Sequence, residues 1–321
     1  MKRVSLIIVI ILFQFSTFAQ RFPSEEENIS YLVTFGKNSD PSWGDDDFNQ
    51  IFFFSIPNTY TQRFYIRVFD PDTGGAIDEG KGEFDTKVRF SVYGGIGVHS
   101  DEAAQGVDPV GNYQSGTLLA TKSFGKDSDY DQSWYTFGPF NPKEGELDQF
   151  DGYTVFKIIA DGLSGDDGNL YYYTLSSSPE YNQPIDGANG FTYEYSFRLQ
   201  AEAGTSIMHV YPYVTDNVIA IQQHNFDFDS DGQILLYSIS KFRNSGTISG
   251  DNHWSSSKHP ITLEEKNSSI DIQIVKRKAF NNNIVFYVTN QYNKALPFFS
   301  VPIGGPPKFK FSPKIRKKSG N

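Results

Sequence analysis

Apolar and polar residues alternate with a period of two along most of the chain, and a helical period is nearly absent. In Phe191-Thr192-Tyr193-Glu194-Tyr195-Ser196-Phe197-Arg198-Leu199, the apolar and aromatic side chains fall on one face and the polar ones on the other. Lys87-Val88-Arg89-Phe90-Ser91-Val92 and Ile270-Asp271-Ile272-Gln273-Ile274 repeat the pattern. Strands that bury one face and wet the other belong to antiparallel sheets. The pattern predicts strands near 30–35, 50–55, 62–69, 86–93, 116–122, 133–139, 153–160, 169–176 and 191–199. A second group is expected near 207–213, 218–226, 233–240, 258–263, 270–277, 283–289 and 296–301. The fold class is therefore all-β, with two antiparallel β-sandwiches: a jelly-roll-like domain over 20–200 and an immunoglobulin-like domain over 206–305. Ala201-Glu202-Ala203-Gly204-Thr205 separates two strong strands, and Gly304-Gly305-Pro306-Pro307 closes the second group.

The N-terminus changes the setting in which this fold must stand. Lys2 and Arg3 precede an apolar run from Val4 to Phe13, and Thr17-Phe18-Ala19 places small residues where a signal peptidase cuts. Residues 1–19 thus read as a signal peptide. The run is shorter than the ~20 residues of a membrane span, and no later segment qualifies, so no transmembrane segment is expected after cleavage. The expected location is outside the cytoplasm: extracellular, cell-surface or periplasmic. An exported chain usually draws on disulfides, but this one has no cysteine. Stability must come from a large core, rich in 29 Phe and 19 Tyr, and from bound ions.

Charge narrows the partners. The chain carries a formal net charge of −10. Lys308, Lys310, Lys314, Arg316, Lys317 and Lys318 lie in a basic tail over 306–321, read as disordered, so the body is more acidic still. Such a body repels phosphate backbones, which excludes nucleic acid as a partner, and it suits cations.

The acids cluster in loops. Asp227-Phe228-Asp229-Ser230-Asp231-Gly232 lies between two strand-like runs. Carboxylates at alternate positions followed by glycine can surround a hard cation with oxygen, as calcium loops do. The twelfth position of a helix–loop–helix calcium site would be Ser238, and both flanks read as strands, so the likeness stops at the six residues. The competing reading is a hairpin with Asp231-Gly232 as its tight turn. Asp70, Asp72 and Asp78 form a second candidate cation site in the loop after strand 64–69, with Asp45 to Asp47 within possible reach. Its competitor is an acidic Asx-capped turn. Gly165-Asp166-Asp167-Gly168-Asn169 reads as a hairpin loop.

Catalytic signals are weak. His99, His209, His224, His253 and His259 lack zinc spacing, and no nucleophile elbow occurs. Exposed aromatics offer another chemistry. Trp43, in an acidic loop, and Trp254, in a Ser-rich one, are candidate ligand-binding residues that could stack on a sugar ring beside carboxylates.

Strand 64–69 running into Asp70-Pro71-Asp72, the strand pair 153–160 and 170–175, and Leu296-Pro297-Phe298-Phe299-Ser300-Val301-Pro302 give the chain a further likeness. It resembles exported cell-envelope β-sandwich proteins of the Bacteroidota, whose modules precede PKD-type repeats or OmpA-like segments. The resemblance implies a binding or spacing module and carries no catalytic residue across. The expected function is non-enzymatic binding, stabilised by calcium, for adhesion, glycan capture or assembly with an outer-membrane or cell-surface protein. A secreted polysaccharide-active hydrolase and a purely structural envelope protein are the alternatives.

Overall fold

The structure is a computed structural model that describes residues 20–40, 48–80, 82–107, 111–148, 152–199, 206–277 and 283–304. The signal peptide, Asp45 to Asp47 and the basic tail lie outside the described residues. The fold is all-β: half of it is strand, and among the described residues there is no helix of seven or more residues. Every strand pairing is antiparallel.

A nine-stranded sheet forms the long wall of the molecule. Its main path runs through Trp254–Pro260, Ala220–Phe226, Asn283–Asn290, Glu194–Arg198, Leu32–Phe35, Gly168–Ser176, Phe64–Phe69 and Trp134–Phe140, with Gln20–Phe22 added beside Gly168–Ser176. A seven-stranded sheet built around Asn49–Pro57, Tyr153–Ser164 and Lys87–Gly94 faces one end of this wall. The layers meet through rings: Phe22 on Phe54, Phe52 on Tyr173, Phe90 on Tyr171 and Phe64 on Phe156, with centroids 4.8–5.6 Å apart. A four-stranded sheet, Ser206–Val210, Asp271–Lys276, Gly232–Tyr237 and Asn244–Gly246, covers the other end. Its Met208, Ile234, Leu236, Ile272 and Ile274 join the same apolar cluster as Phe52, Phe197 and Phe286. Glu194–Arg198 pairs with Asn283–Asn290 across five residues, so strands from both of the expected domains lie in the long wall.

Alternation predicts one strand over 191–199, and the structure divides it. Asn189–Thr192 pairs in the seven-stranded sheet and Glu194–Arg198 in the long wall, so the chain turns a corner at Tyr193. The Thr192 hydroxyl donates to the Ile51 carbonyl at 2.7 Å and stays with the sheet that the chain is leaving. Beyond the corner, Glu194–Arg198 meets Leu32–Phe35 in the single pair Phe197 and Leu32. Gln50 fills the gap: its amide nitrogen donates to the Val33 carbonyl at 2.6 Å and to the Ser196 carbonyl at 2.9 Å. Buried backbone groups that lose a ladder partner need another, and one glutamine side chain answers both strands.

Crossing between layers is the rule. The loops 58–63, 70–86, 125–133, 165–167 and 227–231 each leave a strand of one sheet and enter a strand of another. Two sequence expectations are corrected by this. Gly165 to Asn169 is not a hairpin loop, since Tyr153–Ser164 and Gly168–Ser176 belong to different sheets. Nor is 227–231 a hairpin, since Ala220–Phe226 lies in the long wall and Gly232–Tyr237 in the four-stranded sheet.

Candidate cation and ligand site

The loop after Ala220–Phe226 must leave its sheet at once. Asp227, Asp229 and Ser230 take left-handed backbone, with φ of 59°, 54° and 54°, a conformation short polar side chains tolerate best. Gly232 is required by contact, because a Cβ there would sit 1.8 Å from the Val275 carbonyl oxygen. The amides of Phe228 and Ser230 donate to the side chain and carbonyl of Ser249, each at 2.8 Å. The loop is thereby tied to the turn at 249–252, and Asn252 donates its amide to Asp227 Oδ1 at 2.6 Å.

This tie assembles an acidic trio that the sequence motif does not name. Asp227, Asp229 and Asp251 each bring a carboxylate oxygen within 4.8 Å of the other two. Asp231, the expected third ligand, belongs to another group. Its Oδ2 accepts from Lys276 Nζ at 3.2 Å, and both side chains are buried. The cause is the strand period: Asp231 stands at the entry to Gly232–Tyr237, facing the four-stranded sheet rather than the loop mouth. Asp251 carries only the ordinary marks of a turn, Gly250-Asp251-Asn252. Within the trio the exposure is graded, with Asp227 buried, Asp229 half-buried and Asp251 exposed. Burial pushes the Asp227 carboxyl up to about 6, and Asp229 and Asp251 push the same way against the Asn252 amide.

Trp254 stands next to this trio. Its expected place in a loop is corrected: it opens the strand Trp254–Pro260 at the edge of the long wall, opposite Phe226. A Ser-rich run still forms a strand when a neighbour supplies the ladder, and Ala220–Phe226 does so along its whole length. Trp254 remains 43% exposed. Its ring centroid lies 5.2 Å from Phe226 and 5.4 Å from Tyr287, and Tyr287 stacks on His224 at 4.4 Å. Cross-strand register puts these four rings on one face, bordered by Gln222 and Ser256, whose side chains bond at 3.0 Å. Burial lowers the pKa of His224. Trp43 lies outside the described residues.

The second predicted group also changes membership. Asp78 Oδ2 accepts from the Gly74 amide and Oδ1 from the Leu170 amide, both at 2.7 Å, so it shapes the loop with both oxygens. Asp70 and Asp72 are almost fully buried. Asp70 Oδ1 accepts from the Gln132 amide at 2.8 Å, and Asp72 Oδ2 from the Asp127 amide at 3.2 Å. Asp131 joins them from that same second loop. Its carboxylate lies where Gly75 has no side chain, since a Cβ there would be 2.2 Å from Asp131 Oδ1. Burial pushes Asp70 up to about 7, aided by Asp72 and Asp131. A third group, Asp85, Asp166 and Asp167, is organised by Asp167 Oδ2, which accepts from the Asp85 and Thr86 amides at 2.8 and 3.1 Å.

Comparison with known proteins finds no family model that matches the chain and no match among curated proteins.

Proposed function

We propose that this is a non-enzymatic binding protein of the exported or cell-envelope class, taking a glycan on the face formed by Trp254, Tyr287 and His224. The observation that carries the reading is the junction of that half-exposed face with the trio Asp227, Asp229 and Asp251: the Asp227 amide donates to the His253 carbonyl, next to Trp254. A flat aromatic ring receives the apolar face of a pyranose, and nearby carboxylates accept from its hydroxyls. The trio offers oxygen alone, the donor set that hard cations take, and calcium is the cation it fits. Calcium bound there would hold the 227–231 and 249–252 loops in one shape and present charge to ring hydroxyls. Among the described residues no helix is long and apolar enough to cross a membrane. The resemblance to exported Bacteroidota sandwich modules supports the same placement, and a surface glycan or an outer-membrane glycoprotein would be the partner.

A glycan array probed in calcium and again in EDTA tests this. Binding is expected in calcium and is expected to fall roughly tenfold in Trp254→Ala, by the loss of one stacking contact. Cleavage of any bound polysaccharide would replace the reading with the hydrolase alternative. Equal binding by Trp254→Ala would remove the face from it.

A further inference from the structure

We propose that the end of the molecule formed by the turns 215–219, 238–243, 261–267 and 290–294 docks on an anionic lipid bilayer. Five large apolar side chains project from these turns, Ile219, Ile239, Phe242, Leu263 and Tyr292, each 62–80% exposed. Apolar side chains gathered on one part of a surface mark a contact with something else. The strand register does the gathering. Ala220 pairs with Pro260 and Ile221 with Asn290, so the turns before Ala220–Phe226, after Trp254–Pro260 and after Asn283–Asn290 leave the long wall at one end. The fourth turn joins Gly232–Tyr237 to Asn244–Gly246. Its Ser240 hydroxyl bonds that of Thr262 at 2.8 Å, and its Lys241 Nζ donates to the two Glu265 oxygens at 2.6 and 2.7 Å. Trp254 and the trio Asp227, Asp229 and Asp251 lie at the opposite end of the same strands, where Phe226 pairs with Trp254.

Two features point to lipid as the occupant. The first is how the turns answer their own backbone, since the apolar layer of a bilayer offers an amide no partner. The Ile219 amide donates to Gln291 Oε1 at 3.2 Å, and the Tyr292 and Lys294 amides to Asn290 Oδ1 at 2.9 and 3.2 Å. The Ser240 and Lys241 amides donate to Ser238 Oγ at 3.1 and 2.9 Å, and the Thr262 amide to Glu265 Oε2 at 2.8 Å. Lys241 and Glu265 are themselves a buried pair. The second feature is charge. The chain is acidic, yet within these turns Lys241, Arg243, Lys266 and Lys294 outnumber Asp216, Glu264 and Glu265, with Lys294 paired to Glu102 of another loop. The last described residue, Gly304, sits at this same end: a Cβ on it would lie 3.3 Å from the Ser268 side chain, and the Ser269 amide donates to the Ile303 carbonyl at 2.8 Å. Beyond it the sequence carries Lys308, Lys310, Lys314, Arg316, Lys317 and Lys318 without an acid. A basic segment attracts anionic headgroups, and apolar side chains on the neighbouring turns enter the interface.

The bilayer contact does not rest on the glycan reading, and the test keeps the two apart. The chain from Gln20 onward is sedimented with vesicles of phosphatidylcholine containing about 30% phosphatidylglycerol at ~0.1 M salt. Co-sedimentation is expected. The double variant Phe242→Ser, Leu263→Ser should lose about tenfold or more in vesicle affinity, with Tm unchanged because both side chains are exposed. Replacing Lys314, Lys317 and Lys318 by Gln should weaken binding to these vesicles and leave binding to pure phosphatidylcholine as it was. Trp254→Ala should bind vesicles like the unaltered chain. An unaltered chain left in the supernatant, or full binding by the double variant, would overturn the contact. A lipid-free dimer that the double variant abolishes would assign this end to a second copy instead. Anionic binding untouched by the Gln substitutions would overturn the choice of an anionic surface. Loss of glycan binding with vesicle binding intact would count against the proposed function only.

Discussion

The loops at 70–75 and 227–231 share the spacing Asp-x-Asp, and the fold uses them in opposite ways. In the first, the aspartates are buried between two layer-crossing loops, and an oxygen of each is left unanswered. In the second, the fold divides the motif: Asp231 is turned inward to Lys276, and Asp227 and Asp229 face the loop mouth with Asp251. Spacing along the chain therefore does not define a cation site here. What decides how each carboxylate is used is whether the surrounding amides and cationic side chains have already satisfied it. Layer crossings concentrate the acids for a simpler reason as well. A chain leaving one sheet for another exposes amides that no ladder can satisfy, and a carboxylate accepts from them. Asp78, Asp167 and Asp227 all do so. Glu146 likewise accepts from three amides of one loop, those of Gly97, His99 and Ser100, although that loop joins two strands of the same sheet.

The largest expected effect tests the inward half of the comparison. Asp231→Ala leaves Lys276 buried without its carboxylate and should cost about 3–5 kcal/mol in urea unfolding. The cost should be equal in calcium and in EDTA. A loss confined to calcium would make Asp231 an ion ligand and merge the two loops into one type.

Glu27 provides a buried carboxylate answered without any cation. It is fully buried, accepts from the Tyr195 hydroxyl and the Ser24 amide, both at 2.6 Å, and burial pushes it up to about 7. The fold keeps this proton while the unfolded chain sheds it from about pH 4.5, the ordinary value. Stability should therefore be full below about pH 4.5, fall by up to about 3 kcal/mol as the pH rises to about 7, and level off above. Glu27→Gln should flatten this portion of the curve. An unchanged pH profile of Tm in that variant would place the titration elsewhere.

The outward half predicts a smaller effect. Asp229→Asn should change stability in calcium by less than Asp231→Ala does, because its loop mouth is open to water and exposed charge is screened. It should reduce glycan affinity more than stability. The opposite ranking, measured by calorimetry on both variants, would exchange the two roles.

The continuous wall carries a comparison of its own, between residues 20–199 and 206–304. Their strands pair in one sheet and their side chains share one core cluster. One calorimetric transition is expected. Two well-separated transitions would favour the independent jelly-roll-like and immunoglobulin-like sandwiches that the strand count suggests.

Alternation by itself determined the all-β class and most strand positions, because the faces of a strand repeat every two residues and are written locally. It also placed the acids at strand ends. Sheet membership was decided only in three dimensions. The split of 191–199 at Tyr193 keeps perfect alternation on both sides, so no local signal marks it. Gln50 was invisible for the same reason, since its task exists only where Leu32–Phe35 and Glu194–Arg198 diverge. Asp131 joins Asp70 and Asp72, and Asp251 joins Asp227 and Asp229, from other layer-crossing segments of the chain. Trp254 reached the acidic trio through the ladder with Ala220–Phe226, not through its own Ser-rich sequence. Period-two patterning tells a side chain which way to face, and the long-range pairing of strands decides what it faces.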